Sequence, residues 1–116
     1  MSAAIYNIEI EQDTDWSDSM VWKTGTANTI VNLTGYTAKM YIKSTYSSST
    51  YIATLTTENG CITLGGVLGT ITLSLSNTVT KLLPVGSYVY DLTLISSGGQ
   101  KYRLIEGYAD ISPASD

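Results

Sequence analysis

Residues 33–44 read LTGYTAKMYIKS, and in them Tyr36, Ala38, Met40 and Ile42 alternate with Thr37, Lys39, Tyr41 and Lys43. A period of two places alternate side chains on opposite faces, so the stretch predicts a strand with one dry face and one wet face. The same rhythm recurs with Tyr6, Ile8 and Ile10, with Tyr51, Ala53, Leu55 and Thr57, with Ile71, Leu73 and Leu75, and with Tyr88, Tyr90, Leu92 and Leu94. Met20 and Trp22 open a further short strand, Trp22 as a core residue, and residues 29–33 form another.

The segments between these runs are rich in turn formers. Residues 24–28 read as a turn around Gly25, and residues 45–50, with three serines, as a loop. Asn59-Gly60 between alternating runs predicts a two-residue hairpin, because a type I′ turn needs positive φ twice. That register sets Leu55 opposite Leu64 and Thr57 opposite Ile62. Residues 76–83, SNTVTKLL, allow one helical turn capped by Ser76 or Asn77. For the last hairpin, a loop of Ser97, Gly98 and Gly99 pairs Leu94 with Tyr102, Leu92 with Leu104 and Tyr88 with Tyr108. It leaves Asp91 diagonal to Arg103, with Gly99 as the left-handed residue. Gly107, inside the final strand, marks a bulge.

About eight strands at short intervals, with no long helical period between them, predict an all-β fold. The expectation is a single immunoglobulin-like β-sandwich of seven to eight antiparallel strands spanning 1–116 as one domain. One local pattern favours that family of sandwiches. Gly86-x-Tyr88-x-Tyr90 follows a turn, which puts Tyr88 where a corner tyrosine bonds back to the preceding turn. Tyr90 then stands where such domains carry a cysteine.

Composition narrows the function. The 116 residues carry 6 Lys and Arg against 10 Asp and Glu, a net charge of −4. The cations are spread along the chain, which argues against a nucleic-acid partner. Cys61 is the only cysteine, so no internal disulfide forms and the fold rests on packing. No apolar run approaches the roughly 20 residues that span a bilayer, so no membrane partner is expected. The N-terminus lacks the marks of a secretory signal, so an intracellularly made product is expected.

Candidate chemistry is sparse. With no histidine and one cysteine, the common triads and zinc sites lack their residues, so we expect no enzyme, no catalytic residue and no cofactor. Asp13, Asp15 and Ser17 match the first odd positions of an EF-hand loop, but Asp18 replaces its glycine and Thr24 its final glutamate, and no metal site is assigned. Residues 12–19, QDTDWSDS, read as a solvated acidic loop. Asp13, Asp15, Trp16 and Asp18 in it, with Tyr41 on the polar face of its strand, are the candidate partner contacts. An exposed Trp16 stacks on a sugar ring in one alternative, a carbohydrate-binding module.

In their order along the chain, the turn Asn32–Gly35, the Asn59-Gly60 turn, the strand from Gly69 to Leu75 and the run from Gly86 to Leu92 resemble small β-sandwich modules of tailed bacteriophage virions. The nearest type is the N-terminal domain of baseplate upper proteins. The resemblance implies a non-enzymatic structural protein of the tail, baseplate or an adaptor, with capsid decoration as an alternative. It implies a virion location after synthesis in the bacterial cytoplasm, with other virion proteins and further copies of the chain as partners. That family carries no catalytic residues, so none transfer.

Overall fold

The alternating stretches form strands that segregate into two main sheets. The computed structural model describes residues 4–24, 29–47 and 50–113. Along the chain come β1 (Ala4–Ile5), β2 (Ile8–Glu11), β3 (Trp16–Val21), β4 (Lys23–Thr24), β5 (Thr29–Ile30), β6 (Thr37–Lys43), β7 (Tyr51–Thr56) and β8 (Ile62–Leu64). A 3-10 turn (Gly66–Leu68), β9 (Thr70–Leu75), the single helical turn α1 (Asn77–Thr80), β10 (Gly86–Ile95) and β11 (Lys101–Ser112) follow. The large sheet has the order β1-β11-β10-β6-β7, with β2 beside β1 on β11, and the small sheet has the order β3-β9-β8. β4 and β5 form a short ribbon of their own.

The two sheets bury one core between them, in a sandwich-like all-β arrangement. Ile8, Ile10, Ala38, Met40, Ile42, Leu55, Tyr90, Leu92 and Leu94 come from the large sheet, and Ile62, Ile71, Leu73 and Leu75 from the small one. Each buried aliphatic side chain contributes roughly 1.5–3 kcal/mol, so the alternation is the main driving force for this layering. Trp22 is buried as expected, and its ring meets Tyr36 edge-on and Tyr102 at a tilt. Thr80 is fully buried, yet its hydroxyl donates to Thr14 O at 2.7 Å and accepts from Thr14 N at 3.2 Å. It ties α1 to the turn between β2 and β3.

Several expectations are corrected. The strands are not all antiparallel, since β1 and β2 both run parallel to β11. Asn59-Gly60 does not close a hairpin: β7 pairs with β6, whereas β8 pairs with β9, so Leu55 and Leu64 lie in different sheets. The Asn59 side chain accounts for this. Its Oδ1 accepts from the amides of Thr56 and Cys61, and its Nδ2 donates to Thr54 O, each at 3.0 Å. These bonds satisfy backbone groups that ladder pairing would have used, and the chain crosses between sheets.

The last hairpin keeps its expected loop, with Gly99 at φ 88 and Leu94 opposite Tyr102. The register then shifts at Leu104, and Leu92 faces Ile105 while Tyr88 faces Ala109. The bulge is therefore at Leu104, not Gly107. Leu104 and Ile105 are both apolar, so either could have faced the core, and the inward pairing of Ile105 decides. Gly107 instead admits the link between β1 and β2. A Cβ there would stand 2.6 Å from Tyr6 O and 2.7 Å from Asn7 Oδ1.

The acidic stretch is a loop only over residues 12–15, because Trp16–Val21 is strand β3. Trp16, Asp18 and Met20 share one parity, and pairing with β9 draws them toward the core. Of residues 29–33, only Thr29 and Ile30 form a strand. The turn expected around Gly25 lies outside the described residues, as do two serines of the 45–50 loop.

Candidate functional site

The outer face of the large sheet collects the residues with binding chemistry. On β6 the outward positions are Lys39, Tyr41 and Lys43, alternating with buried Ala38, Met40 and Ile42. β10 adds Asp91, Thr93 and Ile95, and β11 adds Lys101, Arg103, Glu106, Tyr108 and Asp110. A shallow groove of about 290 Å³ runs across this face, lined by Lys39, Tyr41, Lys43, Tyr51, Asp91, Thr93, Ile95 and Lys101.

Two bulges build the face. Between β6 and β7 the register shifts so that Ile42 faces Ala53 but Lys43 faces Tyr51. That shift turns Tyr51 outward, away from the parity of Ala53 and Leu55 expected from the sequence. Its ring stacks on Tyr41 with centroids 4.3 Å apart and planes at 21°. Lys43 Nζ lies 5.9 Å from the Tyr51 centroid and donates to Tyr46 O at 3.1 Å.

The Leu104 bulge has the second effect. It sets Glu106 directly opposite Asp91, a like-charge pair that costs stability when left alone. Arg103 answers both carboxylates, at 3.7 Å from Asp91 Oδ2 and 3.5 Å from Glu106 Oε1. At these lengths, and with Arg103 well exposed, the bridges stabilise by at most about 1 kcal/mol. Tyr46 folds from the β6–β7 loop onto the same face, where its hydroxyl donates to Gly107 O at 3.3 Å. Burial, and then the carboxylates of Glu106 and Asp91, push its phenol above the ordinary value.

The result is a face with four tyrosines, Tyr41, Tyr46, Tyr51 and Tyr108, and four of the chain's six cations. Sequence spacing hid this, because Lys39 and Lys43 come from β6 whereas Lys101 and Arg103 come from β11, far along the chain. Lys39 and Lys101 make no ion pair among the described residues. At the far corner of the face the sign reverses. Exposed Glu9 and Glu11 on β2 flank β11, with Glu9 in register with Asp110.

The sequence candidates are dispersed. Tyr41 lies in the groove. Asp15 caps α1, its Oδ1 accepting from Asn77 N at 2.8 Å and Nδ2 at 3.1 Å. Asp18 Oδ2 accepts from the Tyr6 hydroxyl at 2.7 Å, a bond that, with burial, raises the Tyr6 phenol's pKa. Trp16 is half-buried against the core, opposite Leu75. Asp13 is exposed in a turn at φ 63. Among the described residues, no group of three or more His, Cys, Asp or Glu is placed to hold a metal ion. Cys61 is half-buried, and burial raises its thiol pKa, which weakens it as a nucleophile. No described helix is long and apolar enough to cross a membrane. Among known proteins, no family model matches the chain, and no curated protein matches it in sequence.

Proposed function

We propose that the chain is a non-enzymatic structural subunit of a tailed bacteriophage particle, an immunoglobulin-like sandwich that assembles through the outer face of its large sheet. Strand order supports the finer fold reading. Taken in chain order, β2, β3, β6, β7, β8, β9, β10 and β11 fit the A′, B, C, C′, D, E, F and G positions of a variable-type sandwich. β3-β9-β8 then reads B-E-D, and β11-β10-β6-β7 reads G-F-C-C′. The Tyr88 hydroxyl donates to Val85 O at 3.2 Å, as a corner tyrosine at the start of strand F does.

The observation that carries the functional reading is the gathering of four tyrosines and four cations on one open face of an acidic chain. Tyrosine and arginine are enriched at protein interfaces and lysine is depleted at their cores, so the tyrosines and Arg103 weigh most, and a broad shallow face suits a protein surface better than an enclosed substrate. The family resemblance of the turn order supplies the particle context. The test is quantitative mass spectrometry of density-banded phage particles, fractionated into heads and tails. The reading expects the chain at a fixed multiple of the particle symmetry, with tails marking a tail or baseplate role and heads a decoration role. Absence from banded particles, or turnover of a substrate by the pure protein, contradicts it.

A further inference from the structure

We propose that the outer face of the large sheet pairs with the same face of a second copy of this chain, the Lys39–Lys43–Lys101 patch of each lying against the Glu9–Glu11–Asp110 corner of the other. The inference rests on reading this face as the assembly surface, and it names the partner.

The charges are separated too far to serve each other within one copy. Lys39 is in register with Thr93 on β10, whereas Glu9 is in register with Asp110, which faces Ser87. Lys39 and Glu9 therefore differ by three strand spacings across the sheet and six residues along it, about 25 Å in all, and even Lys43, level with Val89, is about 12 Å from Asp110. Both distances exceed the screening length of roughly 8 Å at physiological salt. Each patch is also locally frustrated. Glu9 and Asp110 are neighbours of one sign, and among the described residues no cation pairs with Glu9, Glu11 or Asp110. Lys39 and Lys101 likewise lack carboxylate partners.

A two-fold axis lying in the plane of the face, and bisecting the line between the patches, carries each patch onto its opposite. Such an isologous pairing relieves both sets of like charges at once, and it is self-limiting. The area fits as well. Five strand positions and the ten residues of β10 give a face of roughly 24 by 33 Å, about 800 Å². A stable specific interface buries about 800 Å² on each partner. The tyrosines provide the apolar contact between the charged ends. Tyr51 and Tyr108 remain 48% and 59% exposed in the single copy, so they have surface left to bury.

The test is sedimentation velocity over a concentration series at about 0.05 M and 0.5 M NaCl. It compares the wild type with Lys39→Glu/Lys101→Glu, with Glu9→Lys/Glu11→Lys, and with the two variants mixed. All four positions are exposed, and circular dichroism melts establish that each variant folds. The wild type is expected to dimerise, at least about tenfold more weakly in high salt. Each variant alone should dissociate by more than about a hundredfold, because like charges then meet. The equimolar mixture should restore the dimer, since each substituted position in it again faces the opposite charge. A monomeric wild type, a dimer indifferent to either variant, or a mixture of folded variants that stays monomeric would overturn the pairing. A monomer that is nonetheless present in banded particles overturns the pairing alone. A salt-sensitive dimer absent from particles overturns the particle reading alone.

Discussion

Replacing Gly107 with alanine tests the packing that holds the first strand in place. The added Cβ would stand 2.6 Å from Tyr6 O, 3.0 Å from Tyr6 C and 2.7 Å from Asn7 Oδ1. Two of these atoms are backbone, and the third is fixed because it accepts from Tyr108 N at 2.9 Å. The segment is further held by Tyr6 N–H donating to Glu106 O at 2.9 Å and by the Tyr90 hydroxyl donating to Tyr6 O. Relief requires β1 and β2 to move off β11, which weakens two or three hydrogen bonds of about 1 kcal/mol each. Against this, alanine restricts the unfolded chain and returns about 0.4–1 kcal/mol. The strand contacts win, and the net loss is about 2 kcal/mol. In urea this lowers the unfolding midpoint by about 1 M, given a slope of 1–3 kcal/mol/M. Hydrogen exchange should quicken first at Ile8 and Ile10, whose side chains lie in the core. An unchanged midpoint, with unchanged exchange in β2, would refute the reasoning.

Other consequences are local. Tyr90→Phe removes the hydroxyl that reaches Tyr6 O and should cost about 1 kcal/mol in denaturant titrations. Burial raises the Tyr90 phenol above its ordinary 10.0, so its contribution is complete below about pH 10 and declines above it as the unfolded chain ionises. The stability difference between wild type and Tyr90→Phe should therefore be constant up to about pH 9.5, with wild-type stability falling more steeply above it; equal slopes would contradict this. Asp15→Ala strips the cap from α1 and should cost about 1 kcal/mol, with faster exchange at the Asn77 amide; unaltered exchange there would count against the cap. Burial lifts the Cys61 thiol above its ordinary 9.0, so at pH 8 it should react with a disulfide reagent more slowly than free cysteine, and denaturant should abolish the difference.

The alternation in β6, β9 and β10 was enough to identify the core, because a period-two pattern leaves one choice of inner face. Tyr88 and the Ser97-Gly98-Gly99 loop were equally readable, since both depend on residues close in sequence. What escaped was set by partners distant in sequence. Leu104 and Ile105 are interchangeable by hydropathy, so the bulge between them could not be located. Asn59 looked like a hairpin residue because nothing local shows which sheet each flanking strand joins. Asp15 and Asp18 looked like free surface acids, yet each is engaged by a group from another element, Asn77 and Tyr6. The candidate face was hidden for the same reason: its lysines come from β6 and β11, which are brought together only through β10 between them.

The most direct test of the outer face as the assembly surface is lysine acetylation footprinting, comparing banded particles with the dilute isolated protein. Lys39, Lys43 and Lys101 lie on the face, while exposed Lys81, just past α1, is the internal control. With the face buried in the assembly, the three face lysines lose reactivity in the particle while Lys81 keeps it. Equal reactivity of the face lysines in both states, or protection of Lys81 alone, would contradict it.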